Sequence, residues 1–185
     1  MCLSKIYDVN PICSFVNKDN INSFFKTNNY TNLLSLDIDG IDFWVAKNID
    51  FEKFNFAFFV CEINPVFGYE DKLSVIYKED FDRWDFSETG NLYGASIQAF
   101  ISLMKKRNYS FIGTNSAGNN AYFLNNRYSS IIDRFSESKI FKRKFLDIKQ
   151  SNNFDRDYYK VMEKNIVKSN PNKIIKISDE HCNFI

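Results

Sequence analysis

Apolar residues in this chain fall into short blocks whose spacing switches between a strand-like and a helix-like period. Ile12-Cys13-Ser14-Phe15-Val16 predicts a short strand. Ile21, Phe24 and Phe25 follow at helical spacing, with Asn17 or Asp19 available as a cap. Leu33-Leu34-Ser35-Leu36-Asp37-Ile38-Asp39 predicts a stronger strand that is apolar until two carboxylates arrive at its end. Gly40 breaks it, and Ile41, Trp44, Val45 and Ile49 then recur with a helical period, which makes Trp44 a core residue. Phe56-Ala57-Phe58-Phe59-Val60-Cys61-Glu62-Ile63 is apolar on both faces, as a central strand covered by helices must be, and Pro65 closes it.

A polar and aromatic insert runs from Val66 to about Asn91, with one short strand expected at Leu73–Tyr77. Ile97, Phe100, Ile101 and Met104 mark an amphipathic helix ending in Lys105-Lys106-Arg107, charges that suit a helix C-terminus. Tyr109–Thr114 and Ala121–Leu124 flank the turn Asn115-Ser116-Ala117-Gly118-Asn119-Asn120, and so short a connection requires an antiparallel hairpin. The succession is that of an α/β domain with a mostly parallel sheet, over residues 1–135. Residues 136–185 form a polar tail, helical or mobile, with helical patterns at 139–145 and 157–167 and a basic cluster at 142–144 that suits a solvated helix face.

Composition narrows the function. Hydrophobic residues make up 44% and charged residues 25%, which excludes wholesale disorder, and 20 Phe with 10 Tyr are enough for a sizeable core. With 24 Lys+Arg against 23 Asp+Glu the formal charge is +1, so nucleic acid is not the expected partner. No apolar run reaches the ~20 residues of a membrane span, and Met1–Lys5 lacks a secretory segment, so membranes are not expected either. The four cysteines, at 2, 13, 61 and 182, make no C-x-x-C motif, and the expected compartment is a reducing cytoplasm. His181 is the single histidine, which excludes histidine-rich metal sites and leaves it alone to serve any Ser-His or Cys-His pair.

In open α/β sheets ligands bind outside the carboxyl ends of the strands. That rule selects Asp37 and Asp39 at one strand end, Glu62 and Asn64 at another, and Asn115 at a third.

Four ordered blocks then carry a resemblance. They are Asn32-Leu33-Leu34-Ser35-Leu36-Asp37-Ile38-Asp39-Gly40-Ile41-Asp42-Phe43-Trp44, Cys61-Glu62-Ile63-Asn64-Pro65-Val66-Phe67-Gly68, Tyr93-Gly94-Ala95-Ser96, and Gly113-Thr114 through Ala121-Tyr122-Phe123. Together the chain resembles S-adenosylmethionine-dependent methyltransferases of the FkbM-like type over roughly residues 10–127. The resemblance implies a Rossmann-like class I sheet of which this chain supplies the third through seventh strands. It also implies a glycine-rich loop after the first strand that holds the cofactor. The first glycine here is Gly40, so that front half is expected from a complementing chain. In the family's order the first two strands lie between the third and fourth, so Leu33–Ile38 is expected to form an uncovered edge unless Ile12–Val16 or another chain pairs with it.

The same resemblance implies roles. Asp39, with Asp37 two residues earlier and so on the same strand face, is expected to orient or deprotonate the methyl acceptor. Either carboxylate, or Asp42, has the alternative role of capping the following helix. Asp39, Glu62 and Asn64 resemble the oxygen-ligand set of metal-dependent O-methyltransferases and would suit Mg²⁺; the alternative is that Glu62 and Asn64 hydrogen-bond loop backbone. Tyr77, Arg83, Trp84 and Tyr93, with Asn115, are expected to wall a site for a glycan, sugar nucleotide or similar small polar acceptor. The competing reading is a non-catalytic α/β binding or assembly module derived from such an enzyme.

Overall fold

The computed structural model describes residues 9–27, 32–132, 165–166 and 168–183. The elements are β1 (Asn32–Leu36), α1 (Asp42–Lys47), β2 (Phe56–Glu62), β3 (Leu73–Val75), α2 (Arg83–Phe86), α3 (Ile97–Lys106), β4 (Tyr109–Thr114), β5 (Asn120–Asn125), α4 (Ser129–Ile132) and β6 (Ile174–Lys176). A 3-10 turn covers Ile21–Phe24, where the short apolar stripe predicted a helix.

The main sheet has the order β1-β2-β5-β4. β1 pairs with β2 in parallel, with Leu36 beside Cys61, whereas β5 runs antiparallel to both β2 and β4. Three strands therefore point the same way and β5 alone is reversed, so the sheet is mixed, with two of its three ladders antiparallel. The expected hairpin is present, and it is its second strand, β5, that docks on β2. β2 is buried along most of its length because Phe51 and Phe123 pack on Phe59, with ring centroids 5.3 and 6.0 Å away.

α3 begins where the Ser96 hydroxyl accepts from the Ala99 N–H at 3.3 Å, and it buries Ile97, Ala99, Phe100, Leu103 and Met104. Phe43 of α1 meets Phe100 at 5.8 Å, which holds the two helices together. Trp44 donates its indole N–H to the Val75 carbonyl at 2.8 Å and packs on Phe43, in keeping with a core role.

One expectation is corrected. Ile12–Val16 forms no strand; Ile12 and Phe15 are 66% and 59% exposed, and among the described residues β1 is paired on one side only. The block is too short and too poorly covered to hold an extended pair by itself. Within the tail, Ile174 and Ile175 open the short strand β6, which pairs with β3; Ile177 N–H donates to the Lys72 carbonyl at 2.7 Å, and Glu180–Cys182 form a 3-10 turn. Cys182 is fully buried behind it, and Lys106 Nζ reaches Asn183 Oδ1 at 2.8 Å. The helical pattern at 139–145, the basic cluster at 142–144 and residues 157–164 lie outside the described residues.

Candidate functional site

β1 and β2 end side by side because they are parallel, and this brings their terminal carboxylates together. Asp37, Asp39 and Glu62 each present an oxygen within 4.8 Å of the others. Strand periodicity is not the cause: β1 stops at Leu36, and Asp39 has a left-handed backbone with φ of 55°. The turn that carries it is organised by Asp42. This side chain is fully buried and accepts from the N–H groups of Ile38 at 2.9 Å and Gly40 at 3.0 Å. Asp42 is thus the structural carboxylate of the D-x-D-x-x-D run, which leaves Asp37 and Asp39 exposed for other work. Burial raises the Asp42 carboxyl above its usual value, against the pull of those backbone donors.

Glu62 is the unusual member of the group. It is only 9% exposed, and its Oε2 is buried with no hydrogen-bond partner. Burial, and then the charges of Asp37, Asp42 and Asp39, push its carboxyl up to about 8, against the opposing influence of Arg83.

Arg83, from the insert, is the counter-charge. Its guanidinium pairs with Asp39 Oδ1, its Nε–H donates to the Gly90 carbonyl at 2.9 Å, and it lies 4.0 Å over the Tyr93 ring and 5.6 Å from that of Trp84. Arg83, Trp84 and Tyr93 therefore form one cluster, with Trp84 66% exposed. Tyr77 has other neighbours, packing on Trp44 at 6.5 Å and under the Lys18 ammonium at 5.3 Å.

Asn64 is not available to a metal. It is 1% exposed; its Oδ1 accepts from Val66 N–H at 3.0 Å and its amide donates to the carbonyls of Asn91 at 2.8 Å and Tyr93 at 2.9 Å. Pro65 forces the chain to turn there, and the amide satisfies the backbone that the turn exposes. Its effect on the site is indirect, since it pins the loop that carries Tyr93 under Arg83. The alternative reading of a backbone-bonding Asn64 is the correct one.

Asn115 is also structural. Its Oδ1 accepts from the N–H groups of Asn119 and Asn120, both at 3.1 Å, inside the β4–β5 turn. Asn115→Ala should cost about 1–2 kcal/mol of folding stability, read by chemical denaturation, while leaving ligand binding at the carboxylates unchanged. His181 accepts from Ser178 N–H at 3.1 Å through Nδ1 and has no part in the carboxylate cluster.

Beside Asp39 lies a cleft of about 190 Å³ lined by Ser14, Phe15, Val16, Ile38, Gly40 and Phe81. It is smaller than the roughly 300–1,000 Å³ of typical small-molecule sites. Gly40 itself faces protein, because an added Cβ would meet the Phe81 ring at 2.6 Å. Gly40 therefore offers no open backbone to a ligand in this cleft.

Fold and site together define an α/β protein with a carboxylate cluster across the carboxyl ends of two parallel strands. Comparison with protein-family models, with curated proteins and with solved structures returns no match for this chain. No helix among the described residues is long and apolar enough to cross a membrane.

Proposed function

We propose that this chain is the acceptor-side part of an S-adenosylmethionine-dependent methyltransferase of the FkbM-like type, acting on a hydroxyl or amine of a glycan, sugar nucleotide or similar polar metabolite. The observation that carries this reading is the ion pair of Asp39, beside Asp37 past the end of β1, with Arg83, which Trp84 and Tyr93 flank. Exposed carboxylates beside an aromatic and cationic wall suit a polar, hydroxyl-rich molecule. Asp39 would accept a hydrogen bond from the acceptor hydroxyl and take its proton on a carboxylate oxygen, and Asp37 would help to orient it. The wall would stack on a sugar face.

In this reading the donor is held by a half of the site outside the described residues, such as a complementing chain; the small cleft and the buried face of Gly40 support that division. The one-sided pairing of β1 and the exposure of Leu33, at 63%, support an additional strand at that edge. The same edge is what favours the second reading, a non-catalytic assembly module. Cys13, Cys61 and Cys182 are unpaired, which supports a cytoplasmic setting for either.

Two measurements test the proposal. Calorimetric titration of the isolated chain with S-adenosylmethionine should give no binding tighter than about millimolar, an affinity worth only ~4 kcal/mol; micromolar binding would overturn the divided site. Adding the chain to an extract of its own cells with methyl-tritiated donor should label the polar-metabolite fraction, and Asp39→Asn should remove that labelling. If labelling does not depend on the added chain, the assembly reading replaces the enzymatic one.

A further inference from the structure

We propose that Asp37, Asp39 and Glu62 form a binding site for a hard divalent cation of the Mg²⁺, Mn²⁺ or Ca²⁺ class. Three carboxylates on two strand ends bring one oxygen each within 4.8 Å of the others. Oxygens bound to one ion are separated by at most twice the metal–oxygen bond, about 4.2 Å for Mg²⁺ and about 4.8 Å for Ca²⁺. The spacing thus suits Ca²⁺ after a small contraction and Mg²⁺ after a larger one.

An acidic cluster at a surface is common and proves nothing alone, so the second observation decides. Glu62 is 9% exposed and carries a carboxylate oxygen that is out of reach of water and bonded to no protein group. A buried polar atom without a partner is costly and rare in a folded protein, and a missing ion is one of its standard explanations. The cluster supplies what that oxygen lacks. Asp37 and Asp39 are exposed, so the remaining coordination positions open to water, as Mg²⁺ and Ca²⁺ require. The donors are all oxygen, which excludes a preference for soft metals.

Arg83 fixes the geometry of the unloaded state. It pairs with Oδ1 of Asp39 and is held in place by the Gly90 carbonyl and the Tyr93 ring. Only Asp39 of the three is paired with Arg83, so a dication relieves the repulsion among the cluster's carboxylates. Arg83 can stay on the second oxygen pair of the cluster as an outer partner of Asp39. The ligand set differs from the one expected from sequence, because Asp37 takes the place of Asn64.

The inference does not rest on methyl transfer, since it is read without S-adenosylmethionine. The full chain, stripped with chelator, is titrated calorimetrically at neutral pH with Mg²⁺, Mn²⁺ and Ca²⁺ separately, and melted with and without each. Saturable one-site binding of at least one ion is expected, with a higher melting temperature in its presence. Asp37→Asn and Glu62→Gln should each weaken it at least tenfold, and Asp85→Asn, at an exposed carboxylate outside the cluster, should not. Asp37 is exposed, so its variant keeps the test sound even if Glu62→Gln perturbs folding. Failure of all three ions to saturate, or equal affinity in native chain and Asp37→Asn, overturns the site.

Discussion

Glu62→Gln should make the metal-free chain more heat-stable than the native chain near pH 8, while near pH 4.5 the two should melt almost together. The Glu62 carboxyl, ordinarily at 4.5, is pushed up to about 8 by burial and by three neighbouring aspartates. An acid with a raised folded value keeps its proton in the folded chain over a range where the unfolded chain has lost it. Between 4.5 and about 8 the native state therefore binds more protons, and its stability falls as pH rises through that window. Below the window the group is neutral in both states; above it the cost is complete. Each pH unit corresponds to about 1.4 kcal/mol, which sets a ceiling of roughly 5 kcal/mol, and water that follows the ionised group inward reduces it to about half. Glutamine keeps the shape and never ionises, so its melting temperature should lack this part of the fall across the window. Thermal denaturation in chelator at about pH 4.5, 6 and 8 measures the difference. Parallel curves for the two proteins would mean that Glu62 ionises as it does in water.

Much of this site was legible before any coordinates, because two apolar runs end on carboxylates. The apolar run of Leu33–Leu36 ends on Asp37 and Asp39, and that of Phe56–Cys61 ends on Glu62, so parallel pairing alone predicts that the carboxylates converge. The hairpin was equally plain from its turn. What remained hidden depends on turns, where no period exists. Asp42 sits two residues after Gly40 and Asn64 immediately before Pro65, and both spend their polar atoms on backbone N–H groups or carbonyls. From composition either looks like a ligand; only the local path of the chain distinguishes them. The signal that separates them is the breaker itself, since a carboxylate or amide beside it is commonly an Asx-type brace. The docking of β6 was hidden for a different reason: three isoleucines among Asn, Lys and Asp look like tail until β3 is seen to need a partner. The cluster of Arg83, Trp84 and Tyr93 was anticipated as a wall, but Tyr77 belongs to the packing of Trp44 instead.

Phe59→Ala should cost about 3–5 kcal/mol, the largest loss expected from a single change in this chain. Phe59 has no exposed surface and stands in the middle of β2, the strand that holds both β1 and β5. It is directly opposite Phe123, whose ring is 6.0 Å away, and Phe123 in turn faces Phe111 at 5.6 Å, so one aromatic row crosses three strands. Phe51 closes on it from the α1–β2 connection at 5.3 Å. Alanine would leave a void bounded by rings that are themselves pinned in strands, so the surroundings have little freedom to collapse, and the cavity term stays near its upper range. Phe59→Leu keeps most of the volume and should lose less than about 1.5 kcal/mol. The cross-strand character can be isolated with a double-mutant cycle. If the ring pair acts as a unit, Phe59→Ala and Phe123→Ala together should cost less than the sum of the two by about 0.5–1.5 kcal/mol, measured by urea denaturation with unchanged slope. Strict additivity would mean that each ring is held by its own surroundings rather than by the other. Because β2 also presents Glu62, the loss should extend to the site: the alanine variant should bind any cation at Asp37, Asp39 and Glu62 more weakly, in proportion to how far the end of β2 is released from β1.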